Sequence, residues 1–333
     1  MEETSEKYNA RLLGGLLKTY NCHRLVIAPG SRNAPVIEAV AQDSDYELFS
    51  VPDERAAAFT ALGMALEEGK PAAVVCTSGS AAANFLPAVT EAYYQRVPLM
   101  IITADRPLEW LDQGAGQTIA QQGIYGRHVR AEVSLLREPL DELARWYNQR
   151  KLNEVLQAVK RGPVHINLPF GEPLYTHFSQ NSQESFNRVQ LTTTHNILPP
   201  ASLKELCYEW RESPRIWILA GQMSPDPARD EALLKLQKAS SYLLWSESLS
   251  NLEKTPQIGT IDRMINSLEE KTREKLQPDL LITIGGEVVS KMVKKYLQNY
   301  PPRYHWHVDA EGNLKDTFGS LSRVIPMDAA SWA

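Results

Sequence analysis

Short, almost unbroken apolar runs recur along the first half of the chain, each followed by a segment of helical length. RLVIA (24–28), YELFSV (46–51), AAVVCT (72–77), LMIITA (99–104) and VHINLP (164–169) are too continuous for strands with one wet face. They fit strands covered on both faces. Between them, NAPVIEAVAQ, ERAAAFTALGMALEEG, SAAANFLPAVTEAYYQ and DELARWYNQRKLNEVLQAVKRG read as helices, Ala-rich and with Gly near their ends. Alternating strand and helix predicts α/β architecture with a doubly wound, mostly parallel sheet. The pattern breaks at about residue 172, where a polar stretch rich in Ser, Thr, Asn and Gln runs to Pro199 and Pro200. A second α/β pattern follows. RIWILAGQMS, SYLLWS, DLLITIGG and YHWHVDA read as strands, and SLKELCYEWRE, RDEALLKLQKAS and EVVSKMVKKYLQNY as helices. The expected organisation is one domain over 1–175, a linker over 176–200 and a second domain over 201–333.

A length of 333 residues suits two domains. The net charge of −5 argues against a general nucleic-acid surface, though not against a local basic pocket for a small acid. The acidic start, MEETSEKYNARLLGG, lacks the pattern of a signal peptide. No apolar run is long enough to span a bilayer. Cys22, Cys76 and Cys207 are scattered, with no CxxC pair, so neither a disulfide framework nor a cysteine zinc site is expected. Cytoplasm is the expected location.

In open parallel sheets, ligands sit outside the carboxyl ends of the strands. Three turns meet that description: Pro29 to Asn33, Pro52 to Arg55, and Thr77 to Ser80. A fourth segment, TADRPLEWLDQGAGQTIAQQG, carries Arg106, Gln113 and Gln117 among glycines. Loops of that length in compact domains are often functional. Each candidate has two readings. Asp53 and Glu54 fit a helix cap and a favourable dipole charge, or a carboxylate facing a cofactor nitrogen. Ser31 and Arg32 fit an anion site, or an Arg paired with a surface acid. TSGS lacks both the phosphate-loop Lys and the GxGxxG glycines, and fits a helix cap by Ser78 or Ser80. His305 and His307 would share a strand face, but no third metal ligand with suitable spacing is evident.

Taken in order, APGSRNAP, DERAAAFTALGMA, TSGSAAANFLPAVTEAYYQRVPLMIITADRP, GAGQTIAQQGIYG, INLPFGEPLY and AGQMSPD resemble the SEPHCHC synthase family of thiamine-diphosphate enzymes. The resemblance covers essentially the whole chain. It implies a pyrimidine-binding domain followed by a Rossmann-like central domain. The family's third domain, which holds the diphosphate through Mg²⁺, has no counterpart motif here, so the chain is expected to be a truncated piece. The resemblance implies that Glu54 hydrogen-bonds the pyrimidine nitrogen N1′ of thiamine diphosphate and sets up removal of the thiazolium proton. Ser78 and Gly79 match cofactor-binding positions; no metal ligand is expected within the chain. Ser31, Arg32, Arg106, Gln117 and Lys291 match substrate-binding positions for 2-oxoglutarate and isochorismate. Met292 stands where family members often have Arg, which leaves Lys294 or Lys295 as a substitute for Lys291.

The implied reaction decarboxylates 2-oxoglutarate and adds the resulting carbanion to isochorismate, in menaquinone biosynthesis. The implied assembly is a homodimer or homotetramer, and the chain alone is expected to be inactive. The alternatives are another thiamine-dependent 2-oxo acid decarboxylase or synthase, and a non-catalytic dicarboxylate-binding protein.

Overall fold

Two separate parallel sheets organise the chain. The computed structural model describes residues 7–138, 140–175, 186, 188–192 and 197–333. The chain divides into two compact units, Met1–Leu191 and Thr192–Ala333. Much of the expected linker, residues 176–185, 187 and 193–196, lies outside the described residues.

The first unit runs α1 (Tyr8–Thr19), β1 (Arg24–Ile27), α2 (Ala34–Ala41), β2 (Glu47–Ser50), α3 (Glu54–Glu68), β3 (Ala72–Cys76), α4 (Ser80–Ala83), α5 (Leu86–Gln95), β4 (Leu99–Asp105), β5 (Ala131–Ser134), α6 (Glu142–Ala158) and β6 (Val164–Pro169). The strand order is β2-β1-β3-β4-β6-β5, and every neighbouring pair is parallel. Because side chains alternate along a strand, β1 sends Leu25 and Ile27 to one face and Val26 to the other. The first face is covered by α1, α2 and α6 through residues such as Leu12, Leu16, Val36 and Leu156. The second face is covered by α3 and α5, whose Ala57, Ala58, Ala61, Ala65, Ala88 and Ala92 let the helices lie close on Val74 and Ile101.

All of the expected strands form, but the sequence reading misses several elements. β5 is an edge strand with only Val133 buried, so AEVS carries no apolar run. In α1 the Gly14–Gly15 pair masks a helix; a side chain at Gly15 would meet the Phe186 ring at 2.4 Å. The expected helix over 80–95 is split into α4 and α5, with Pro87 in the first turn of the second, where its fixed φ and missing N–H are tolerated.

The second unit runs α7 (Pro200–Arg211), β7 (Ile216–Ala220), α8 (Pro227–Ala239), β8 (Leu243–Ser246), α9 (Ile261–Ser267), α10 (Glu270–Leu276), β9 (Leu280–Ile284), α11 (Lys291–Asn299), β10 (Tyr304–Val308), β11 (Arg323–Ile325) and α12 (Ala329–Trp332). Its sheet is parallel in the order β11-β10-β9-β7-β8. Trp217 stacks on Trp245 and on Tyr296 in its core. The helix expected to begin at Glu287 begins at Lys291 instead, because Ser290 caps it by accepting from the Val293 N–H. Among the described residues no helix is long and apolar enough to cross a membrane.

His305 and His307 do share a face, but both meet the Thr283 hydroxyl, at 3.2 and 2.9 Å. Burial holds the His305 imidazole down to about 4. Its unfolded value is near 6.5, so between these pH values the unfolded chain binds the extra proton. The second unit should therefore keep its full stability above about pH 6.5 and lose it progressively toward about pH 4. Melting curves across that window should show a shallower fall in His305→Gln; an identical fall would remove His305 as the cause.

At the start of α3, Asp53 accepts from the Ala56 N–H at 2.7 Å. Asp53→Ala should lower stability by about 1 kcal/mol, the ordinary loss for such a cap. Glu54→Gln, one residue on, should change the melting temperature little.

Candidate functional site

The exits of the first sheet's strands meet at one edge. The turn after β1 is fixed from within: Asn33, fully buried, donates to the Ala28 carbonyl at 2.9 Å and accepts from the Gly30 N–H at 3.1 Å. Gly30 has no room for a side chain, since a Cβ there would lie 2.5 Å from Thr77 Cβ in the turn after β3. The two turns are therefore in direct contact, and the Arg32 N–H adds a bond to Thr77 Oγ1 at 3.3 Å.

Arg32 turns inward. Its guanidinium donates to the Phe170 carbonyl at 2.7 Å and to Glu172 Oε1 at 3.0 Å, both just past β6. Of the two readings the sequence leaves open, an anion site or an Arg paired with an acid, the geometry shows the pairing with an acid. Ser31 beside it is exposed.

Glu54 is half-buried at the first position of α3, while the capping is done by Asp53. Among the described residues, the Glu54 carboxylate has only a long contact from Asn84 Nδ2, at 3.5 Å. It lies close enough to Cys76 to matter electrostatically: burial pushes that thiol well up, and the Glu54 charge pushes it further.

The turn after β3 departs from a side-chain cap by Ser78 or Ser80. Gly79 is the N-cap residue of α4, with φ 87° and ψ −147°, and no side chain caps the helix. Ser78 is buried and its hydroxyl has no hydrogen-bond partner among the described residues. A side chain at Gly79 would press on the Gln117 backbone at 3.1 Å, so this turn and the long loop after β4 also touch. Gln117 itself is exposed, at φ 56°. Arg106 follows β4 directly; its Nε is buried without a hydrogen-bond partner among the described residues. Ser31, Arg32, Glu54, Ser78, Gly79, Arg106 and Gln117 thus all lie along this edge. Lys291 lies in the second unit, exposed at the start of α11, with Met292 and Lys294 half-buried and Lys295 exposed.

Behind the edge lies a buried polar network that the motif reading misses. Gln121, fully buried, accepts from the Gly79 N–H at 2.8 Å and donates to the Ala104 carbonyl and to Asn167 Oδ1, at 3.1 and 2.9 Å. Asn167 also accepts from Thr103 Oγ1 at 2.7 Å and donates to Asp105 Oδ2 at 2.8 Å. The Thr103 hydrogen is spent on Asn167, so His165 Nε2, 2.8 Å from Thr103 Oγ1, must be the donor. His165 Nδ1 then faces Glu132 at 3.6 Å, and this pairing holds the Glu132 carboxyl below its usual range. Burial pushes the Asp105 carboxyl up, against the bonds from Asn167 and the Arg106 N–H. One signal was available: His165 and Asn167 are polar residues two apart in an otherwise apolar strand.

Residues 9–124 match the family described as thiamine pyrophosphate enzyme, N-terminal TPP binding domain. Residues 176–333 match the family described as middle domain of thiamine pyrophosphate. The chain is 39% identical over 332 residues to 2-succinyl-5-enolpyruvyl-6-hydroxy-3-cyclohexene-1-carboxylate synthase of Phocaeicola vulgatus, covering 97% of this chain and 58% of that protein. The proteins of the same name from Porphyromonas gingivalis and Bacteroides fragilis are each 39% identical, over 98% and 97% of this chain and 57% and 59% of their own lengths. The chain therefore spans a little over half the length of these curated relatives. With both regions matched and such identity along nearly all of its length, the chain belongs to the thiamine pyrophosphate enzymes, of which it carries the N-terminal and middle domains.

Proposed function

We propose that this chain is the pyrimidine-binding and central part of a thiamine-diphosphate-dependent SEPHCHC synthase, and that the carboxyl edge of the first sheet is its share of the active site. The observation that carries the reading is Glu54, a half-buried carboxylate left almost unengaged at a strand exit while its neighbour Asp53 does the capping.

The residues present fit the cofactor's pyrimidine half. Glu54 keeps an oxygen for a ring nitrogen, Ser78 has a buried hydroxyl without a partner among the described residues, and a side chain at Gly79 would crowd the Gln117 backbone. When bound, thiamine diphosphate supplies the electron sink that decarboxylation of a 2-oxo acid needs. On this reading Glu54 holds the ring nitrogen and fixes its proton. Gly79, tied by Gln121, keeps the turn after β3 in place. Arg32 and Arg106 supply positive charge for substrate carboxylates, in a place where an acidic protein otherwise has little. Ser31 and Gln117 serve as further substrate contacts, and Lys291 is proposed as a substrate-binding residue from its motif position alone. Mg²⁺ and the diphosphate fall to the rest of the relatives' length.

The same reading carries a homodimer or homotetramer in the cytoplasm. Its support is the outer face of α3, the helix that Glu54 opens, and of the adjoining α5. There Phe59, Leu66, Leu86 and Tyr94 are exposed.

A protein of the relatives' full length containing this chain should consume isochorismate with 2-oxoglutarate when thiamine diphosphate and Mg²⁺ are present. Pyruvate, which lacks the second carboxylate, should replace 2-oxoglutarate with no more than about a hundredth of kcat/KM. Equal use of pyruvate would point to a different 2-oxo acid enzyme. The 333-residue chain alone should show no turnover.

A further inference from the structure

We propose that Glu172 is a positioning residue that sets specificity for carboxylates, by occupying Arg32 until a substrate carboxylate displaces it. The inference rests on the substrate role given to Arg32 above.

Arg32 is only 6% exposed, so its charge needs an anion close by. One guanidinium nitrogen is held by the Phe170 backbone carbonyl, which stays with the end of β6. The other is held by Glu172 Oε1 at 3.0 Å, and here the two partners differ sharply: the Arg32 side chain is 7% exposed and that of Glu172 68%. Glu172 can swing into water at little loss, because it is already mostly solvated. Arg32 cannot follow, and left alone it would be a buried unpaired charge. Only another anion can therefore release Glu172 without leaving that charge uncompensated; a neutral ligand cannot.

The surroundings favour the exchange. The Lys7 ammonium, 7% exposed, donates to the Gly171 carbonyl at 2.9 Å. The Arg137 guanidinium lies 3.7 Å from where a Cβ on Gly171 would sit. Three cations thus border a three-residue turn. Of the nearby acids among the described residues, Asp105 is bonded to Asn167 and to the Arg106 N–H, Glu138 to the Asn9 N–H at 2.5 Å, and Glu109 to Arg137. That leaves Glu172 as the acid whose place an incoming carboxylate can take. A position on the side chain that a ligand must replace discriminates by charge before any shape is read.

Calorimetric titration of the 333-residue chain with succinate, at low salt, tests this directly. Glu172→Gln should bind succinate about fivefold more tightly than the parent, the order expected for removing an exposed competitor. Arg32→Gln should abolish binding. Melting temperatures of both variants report whether each is folded. Equal or weaker binding by Glu172→Gln would overturn the proposal, since a residue that merely braces Arg32 would weaken binding when lost. Absence of succinate binding to both parent and Glu172→Gln would also overturn it. Turnover that depends on Glu54 is a separate readout, so this idea can fail while the proposed function stands.

Discussion

The first unit depends on a contact with no tolerance: the turn after β1 lies so close to the turn after β3 that position 30 has space only for hydrogen. Everything along the carboxyl edge follows from that approach. Asn33 closes the first turn on itself, and Arg32 is aimed past β3 and β4 to the end of β6. Gly79 plays a similar part at the next exit, where its positive φ would strain any side chain and the nearby Gln117 backbone would crowd it. Two glycines thus set the distances between three loops, and the polar residues beside them inherit their positions.

What keeps the edge rigid is polar and buried. A hydrogen bond that loses its partner in such a place costs more than the bond itself contributes. Gln121 is tied at both ends of its amide and links the turn after β3 to β4 and β6. Through Asn167 the same chain of bonds reaches Asp105, and through Asp105 the backbone of Arg106. The loop that carries much of the expected substrate machinery is thereby fastened to the sheet rather than left to its own flexible composition.

The sheets were legible because parallel strands are covered on both faces and so appear as apolar runs. β5 and β11 escaped because neither AEVS nor RVI forms a long enough apolar run. α1 escaped because Gly14 and Gly15 look like a break, when they are sites of close packing. The candidate site was legible as a set of strand-exit turns, since the rule for open sheets names where to look. Its internal division of labour was not. Spacing cannot tell a capping carboxylate from a waiting one; the structure separates them, with Asp53 bonded to the helix and Glu54 nearly free. Gln121 was hidden for another reason. It sits in a loop without periodicity, and its burial is decided by β3, β4 and β6 together.

In a protein of the relatives' full length containing this chain, turnover of isochorismate with 2-oxoglutarate should fall at least about a hundredfold in Glu54→Gln, with the melting temperature unchanged. Turnover equal to the parent's would make Glu54 a helix-dipole charge and nothing more, and would contradict the assignment of this edge as the cofactor's site.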